Sequence, residues 1–130
     1  MSDENPILTE RRGQQGGILW LTLNRPEKLN ALTFPLLREL REIAFEARFD
    51  RTIRCVVITG AGRGFCAGMD VGEEAGGVGV LRSQETISSR RKSLRDSVHL
   101  IPRALIQLEK PYIAAINGAA VGAGMDMASM

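Results

Sequence analysis

Hydrophobic positions along the chain fall into two kinds of block. Ile18–Leu23 is rich in β-forming residues and follows Gly16-Gly17, which predicts a strand paired with Ile7–Arg12 across a turn at residues 13–17. Residues 24–30 read as a loop, because Pro26 bars strand pairing and pushes Arg25 out of the helical region. From Thr33 the period lengthens: Leu36, Leu37, Leu40, Ile43, Ala44 and Ala47 recur at helical spacing, while Arg38, Glu39, Arg41 and Glu42 fall elsewhere. Thr33 can cap this helix, and Pro35 is tolerated in its first turn. Residues 54–59 form a short β-branched run and predict a buried strand, followed by a flexible loop at residues 60–64.

Residues 72–80 are glycine-rich and expected to be mobile. The pattern over residues 83–109 is helical, with Pro102 disfavouring a helical Ile101 and dividing the stretch in two. Pro111 stops the second helix, residues 112–116 predict another buried strand, residues 117–124 a small-residue loop, and residues 125–130 the start of a helix. Strands alternating with helices place the chain in the α/β class. The last helix has barely started where the sequence stops, which suggests the front part of a longer protein.

The composition narrows the function classes. The 130 residues suffice for one domain with a core; 44% are apolar and 25% charged, as in soluble globular proteins and unlike disordered ones. No apolar run reaches the ~20 residues needed to cross a bilayer, and the acidic, polar start lacks a signal-peptide core, so a cytoplasmic protein is expected. A net charge of +2 is too weak to imply nucleic acid. Residues 81–110 carry 7 basic side chains against 3 acidic ones. That local excess suits either a phosphorylated ligand or a solvated helix face. Cys55 and Cys66 form no CxxC pair, and with His99 the only histidine, no metal site is expected. His99 lies in a polar, basic stretch with no nucleophile motif near it, which argues against a Ser-His-Asp triad. Cys66 and Trp20 are expected to pack as core residues, and so are Met125, Met127 and Met130.

Two strand–glycine loop–helix junctions carry the candidate chemistry, at residues 58–70 and 116–126. Gly60 and Gly62 are spaced as in GxGxxG, but Phe65 occupies the third glycine position, and no GKS or GKT follows for a P-loop. A nucleotide-binding domain is therefore the weaker reading. What two such loops can supply is a pair of backbone N–H groups. Small residues let a carbonyl approach closely, and a helix starting at the second loop aims its positive end at developing negative charge. Two converging donors would form an oxyanion hole suited to a thioester oxygen becoming an enolate. For either loop taken alone, glycines that merely make turns are the better explanation.

Four segments of the chain carry a resemblance: Asn24-Arg-Pro-Glu-Lys-Leu-Asn-Ala-Leu32, Val56-Val-Ile-Thr-Gly60, Phe65-Cys-Ala-Gly-Met-Asp70, and Lys110-Pro-Tyr-Ile-Ala-Ala-Ile-Asn-Gly118 with Gly122-Ala-Gly124. In this order they resemble the enoyl-CoA hydratase/isomerase (crotonase) superfamily. The resemblance implies a crotonase-like (ClpP/crotonase) spiral of ββα units, here truncated, and acyl-CoA substrates. Residues 1–130 would then be the N-terminal part of an acyl-CoA-binding domain. The C-terminal helices that build the family's homo-trimer or hexamer would lie beyond it. No cofactor is implied, since coenzyme A is part of the substrate.

By the same resemblance, Met69 and Ala123 donate the two oxyanion N–H groups. Many relatives have glycine where Ala123 stands. Glu27, Lys28, Leu29 and Ala31, together with Ala67, Gly68, Met69 and Asp70, match the CoA-binding stretches, and Gly122 adjoins Ala123. Asp126 stands where hydratases carry their first catalytic glutamate and where dienoyl-CoA isomerases carry an aspartate. Flanked by Met125 and Met127, it would serve as general acid or base; the plainer alternative is an acid favoured by the helix dipole. The family's second catalytic acid would lie beyond Met130. Asp70 is expected to stabilise its own loop, and Glu73 and Glu74 to face solvent. A module that binds acyl-CoA without turnover remains the alternative of another class.

Overall fold

The computed structural model of the chain describes residues 5–72, 86–97 and 99–130. Glu73, Glu74 and the rest of the glycine-rich stretch after Gly72 lie outside the described residues, as do Arg82 and Glu85 of the basic region. The chain opens with a hairpin. Strand β1 (Ile7–Arg12) pairs antiparallel with β2 (Ile18–Leu23), Ile7 facing Leu23 and Arg12 facing Ile18. The turn between them uses positive φ at Gly13, Gln15 and Gly16.

Helix α1 (Phe34–Phe49) begins as its sequence predicts: Thr33 Oγ1 accepts from the Leu36 N–H at 3.3 Å, and Pro35 sits in the first turn. Its far end is held by Lys110, whose Nζ donates to the carbonyls of Ala47 and Asp50, two acceptors with no partner inside the helix. The helix carries the chain over to β3 (Cys55–Gly60), parallel to β2 with Ile18 opposite Cys55 and Leu23 opposite Gly60. Strand β4 (Gly64–Cys66) follows, then α2 (Ile87–Ser97) and α3 (Leu100–Gln107). Strand β5 (Tyr112–Ala114) returns parallel to β3 and completes a sheet of order β1-β2-β3-β5. The short β6 (Ala119–Ala120) pairs parallel with β4 as a separate two-stranded ladder, and α4 (Ala123–Ser129) closes the described chain.

One face of the sheet and the helices share a single core. Leu19, Leu21 and Leu23 alternate inward along β2, joined by Val56 and Ile58, and meet Leu36, Leu37, Leu40 and Ala47 of α1 and Ile101 of α3. This is the alternating α/β arrangement that the strand and helix periods imply.

Several local expectations are corrected. Helix α2 ends at Ser97 and α3 begins at Leu100, so the division precedes Pro102. Pro102 occupies the first turn of α3, where its missing N–H has no intrahelical acceptor to lose. Strand β5 is not buried: Ile113 is exposed because β5 is the edge of the sheet among the described strands. Trp20 is only half-buried, since it points to the sheet face opposite Leu19 and Leu21, and the Arg12 guanidinium stacks 4.1 Å from its ring centroid. Of the three terminal methionines only Met127 is core; Met125 and Met130 are exposed, because the helix turns one face alone inward. Cys66 is fully buried, and burial pushes its thiol above the ordinary range.

Candidate functional site

The two glycine junctions lie side by side. Strand β4 brings residues 64–66 against β6, with Gly64 opposite Ala119 and Cys66 opposite Ala120, and the Val121 N–H then donates to the Cys66 carbonyl at 3.0 Å. The approach excludes side chains. A Cβ on Gly68 would stand 2.9 Å from the Val121 oxygen and 3.7 Å from the Ala123 nitrogen, and one on Gly124 would stand 2.4 Å from the Cys66 oxygen. Gly68 adopts φ +95 and Gly122 φ +54, conformations that disfavour side-chain-bearing residues.

The loop from Pro26 to Leu32 packs onto the same junction. A short 3-10 turn over Pro26–Lys28 leads into Leu29 and Asn30, both left-handed at φ 50 and 57. Leu29's carbonyl accepts from the Ala67 N–H at 2.9 Å, and Ala31 follows one residue before the bridge. Residues 27–31 and 67–70 are thereby brought together, although Glu27 and Lys28 are exposed. Leu32 and Met69 form an isolated parallel bridge: the Leu32 N–H donates to Gly68 and the Asp70 N–H donates to Leu32, each at 2.8 Å. In a parallel bridge of this register the backbone groups of Met69 itself face away from Leu32. Among the described residues neither the Met69 N–H nor the Ala123 N–H has an acceptor.

Met69, Ala123 and Asp126 line one cavity of about 220 Å³, walled on its apolar side by Leu32, Ile101 and Met127. Asp126 lies one helical turn beyond Ala123 and is exposed. Its neighbour Met125 is exposed, so the apolar flank comes from the cavity wall and not from both sequence neighbours. A larger hollow of about 590 Å³ lies between α1 and α3, lined by Phe45, Arg48 and Arg103, and contains no glycine-loop residue. The smaller cavity is lined by the two residues, Met69 and Ala123, whose N–H groups have no acceptor among the described residues, and it is the candidate site.

Asp70 does not face this cavity. Its carboxylate accepts from the Gly72 N–H at 2.8 Å and pairs with Arg25 at 3.1 Å, both side chains being only 14% exposed. The Gly72 N–H first, and the Arg25 guanidinium next, hold its carboxyl below the usual range.

Three further residues, Arg25, Asn30 and Asn117, tie the site together without having been singled out from sequence, and His99, weighed from sequence only against a Ser-His-Asp triad, lines it. Arg25 reaches both the Ala31 carbonyl and Asp70. Asn30, fully buried, accepts from the Arg25 N–H and donates to the carbonyls of Ala61 and Gly64, all at 2.9 Å. Asn117 accepts from the Gly60 N–H at 3.1 Å and donates to Gly62 and Gly64. His99 lines the cavity with Asp126. An asparagine beside a glycine loop is the available signal for the first pair of ties; nothing near His99 in sequence announces its position.

The sequence profile described as enoyl-CoA hydratase/isomerase matches residues 13–130. The chain belongs to the enoyl-CoA hydratase/isomerase family. It is 38% identical over 112 residues to a protein of Escherichia coli named 1,2-epoxyphenylacetyl-CoA isomerase, covering 86% of this chain and 41% of that protein. A solved Pseudomonas aeruginosa structure superposes with a TM-score of 0.79 at 39% identity, over 98% of this chain and 51% of the other. A monofunctional enoyl-CoA isomerase from M. smegmatis gives a TM-score of 0.68 at 33% identity, over 95% and 46%. The chain therefore spans about half, or less, of the length of these relatives. The enoyl-CoA hydratase/isomerase fold extends over almost all of it, including both glycine junctions. Among the described residues no helix is long and apolar enough to cross a membrane, and no cluster of three potential metal ligands occurs.

Proposed function

We propose that the protein of which this chain forms part or all is an enoyl-CoA hydratase/isomerase that stabilises a thioester enolate in the cavity between the two glycine junctions. One observation carries the reading: Met69 and Ala123, whose backbone N–H groups have no acceptor among the described residues, line the same cavity as Asp126. A thioester oxygen seated there accepts from both donors. As a proton leaves the adjacent carbon, negative charge grows on that oxygen and the two donors bind it more strongly. One such donor is worth about 2.7–4 kcal/mol of barrier in another enzyme class, so the pair is a major term. Asp126 moves the proton or activates water. The aspartate at position 126 is the ground for a second reading, a double-bond shift as in dienoyl-CoA isomerisation.

The backbone of residues 27–31 and 67–70 holds the coenzyme A portion, Gly122 leaves room beside Ala123, and no cofactor is needed beyond the thioester itself. Residues 1–130 act as the N-terminal part of the domain, in a cytoplasmic homo-trimer or hexamer built by helices further along. Calorimetry with acetoacetyl-CoA, NAD and ATP tests the ligand class. Binding of the thioester alone is expected; tight NAD binding without thioester binding would overturn the assignment.

A further inference from the structure

We propose that His99 is a second proton-transfer residue of this site, working opposite Asp126; the inference rests on the thioester reading above. His99 is the only histidine of the chain, and it enters α3 with φ −75 and ψ −5. Its backbone is engaged, the carbonyl accepting from the Arg103 N–H at 3.4 Å, while its imidazole makes no hydrogen bond among the described residues. His99, itself exposed, is among the residues that line the 220 Å³ cavity together with Met69, Ala123 and Asp126. Among the described residues Asp126, from α4, is the only other titratable residue in that wall; α1 contributes Leu37, and the bridge contributes Leu32 and Met69. The nearest charges in sequence, Arg95 and Asp96 of α2, are exposed and do not line the cavity, and Arg103 lines the separate hollow against α1. Asp70 is committed to Arg25 and Gly72.

The chemistry needs two groups of different character. A carboxylate is ordinarily ionised at neutral pH and is ready to take a proton, whereas an imidazole titrates near neutrality and can deliver one. In a double-bond shift, Asp126 takes a proton from the carbon next to the thioester carbonyl. The C–H electron pair enters the conjugated enolate, whose oxygen rests on the Met69 and Ala123 N–H groups. The imidazolium of His99 then delivers a proton to the far carbon of that enolate, and the electron pair of the enolate forms the new C–H bond. The substrate has exchanged one proton for another and keeps its composition. Asp126 holds one proton more and His99 one fewer, and exchange with solvent through the open cavity restores both.

Because the chain has one histidine, its imidazole C–H resonances need no assignment by mutation. Adding acetoacetyl-CoA is expected to shift them together with the Met69 and Ala123 amide resonances. Shifted amides with an unmoved imidazole would overturn the role of His99 and leave thioester binding standing; no shift in either would overturn both. With an enoyl-CoA in deuterated buffer, His99→Gln in the longest available form of the protein is expected to cut deuterium incorporation at the far carbon about tenfold or more. Exchange next to the carbonyl and the thioester Kd should stay nearly unchanged. Undiminished incorporation at the far carbon, in a variant with native circular dichroism, would overturn the proposal.

Discussion

A Cβ added to Gly68 would stand 2.9 Å from the carbonyl oxygen of Val121. Two loops separated by some fifty residues of sequence thus touch backbone to backbone at the point where the candidate donors arise. Gly68 also has φ +95, so Gly68→Ala adds both local strain and a clash that pushes Val121 and Ala123 away. The substitution should destabilise the chain by about 1–3 kcal/mol in denaturant unfolding and weaken acetoacetyl-CoA binding. A variant with unaltered stability and affinity would mean that the two loops are not rigidly joined.

Ala123 opens α4, and the first position of a helix is where proline is best tolerated. Ala123→Pro therefore removes the N–H with little expected change in circular dichroism. It should abolish turnover and weaken thioester binding, while Ala123→Gly, which keeps the donor, should be far milder. Near-normal activity of a folded Ala123→Pro protein would rule out this donor.

Asn117 ties one glycine loop to the other by accepting from Gly60 and donating to Gly62 and Gly64. Asn117→Ala removes three hydrogen bonds to the backbone at once, two of them partly buried, and leaves only Gly64 with another side-chain partner, Asn30. A loss of about 1–3 kcal/mol is expected in denaturant unfolding. A loss below a few tenths would show that water replaces the amide without cost.

The legibility of this chain divides along a physical line. Local rules sufficed for β1, β2 and α1, because strand period, turn glycines and the Thr33 cap act within a few residues. The same rules misplaced the α2–α3 boundary, since Pro102 is compatible with a first helical turn as well as with a break. Trp20 and Met125 were misjudged because hydrophobicity alone does not say which face of a strand or helix turns inward. The glycine junctions were readable as motifs. The roles of Asn30 and Asn117 were not, because each bridges segments more than thirty residues apart. His99 reaches the cavity only through the packing of α3 against α1, which no local pattern records.

The Arg25–Asp70 pair makes a pH prediction with a definite sign. Asp70's carboxyl lies below its ordinary value in the folded chain, because Gly72 and Arg25 favour the ionised form. Its contribution is fully present above the unfolded value of about 3.9 and is lost as pH falls through the lower folded value. Asp70→Asn should cost about 1–2 kcal/mol at neutral pH, between the worth of exposed and of buried pairs. In urea titrations the parent should lose its advantage over the variant below about pH 4, the two curves converging in acid. Parallel curves down to low pH would remove the pair from the stability of this loop.

Asp126→Asn separates a catalytic role from a helix-dipole role. The amide keeps the size and hydrogen-bonding capacity of the carboxylate but cannot shuttle a proton at neutral pH. As a proton-transfer group in the cavity with Met69 and Ala123, Asp126 should account for about 10²–10⁴-fold of the rate, with thioester binding retained. As an acid that only complements the first turn of α4, it should cost about 0.3–1 kcal/mol of stability and leave the rate nearly unchanged. The comparison is best made in the longest available form of the protein, since this chain covers about half, or less, of its relatives and should itself show little hydration or isomerisation. Enoyl-CoA and dienoyl-CoA assayed side by side give the reaction subtype in the same experiment. Unchanged turnover of both thioesters by Asp126→Asn would move the chemistry to another residue, whereas a rate loss with unaltered Kd fixes the carboxylate as the group that moves the proton.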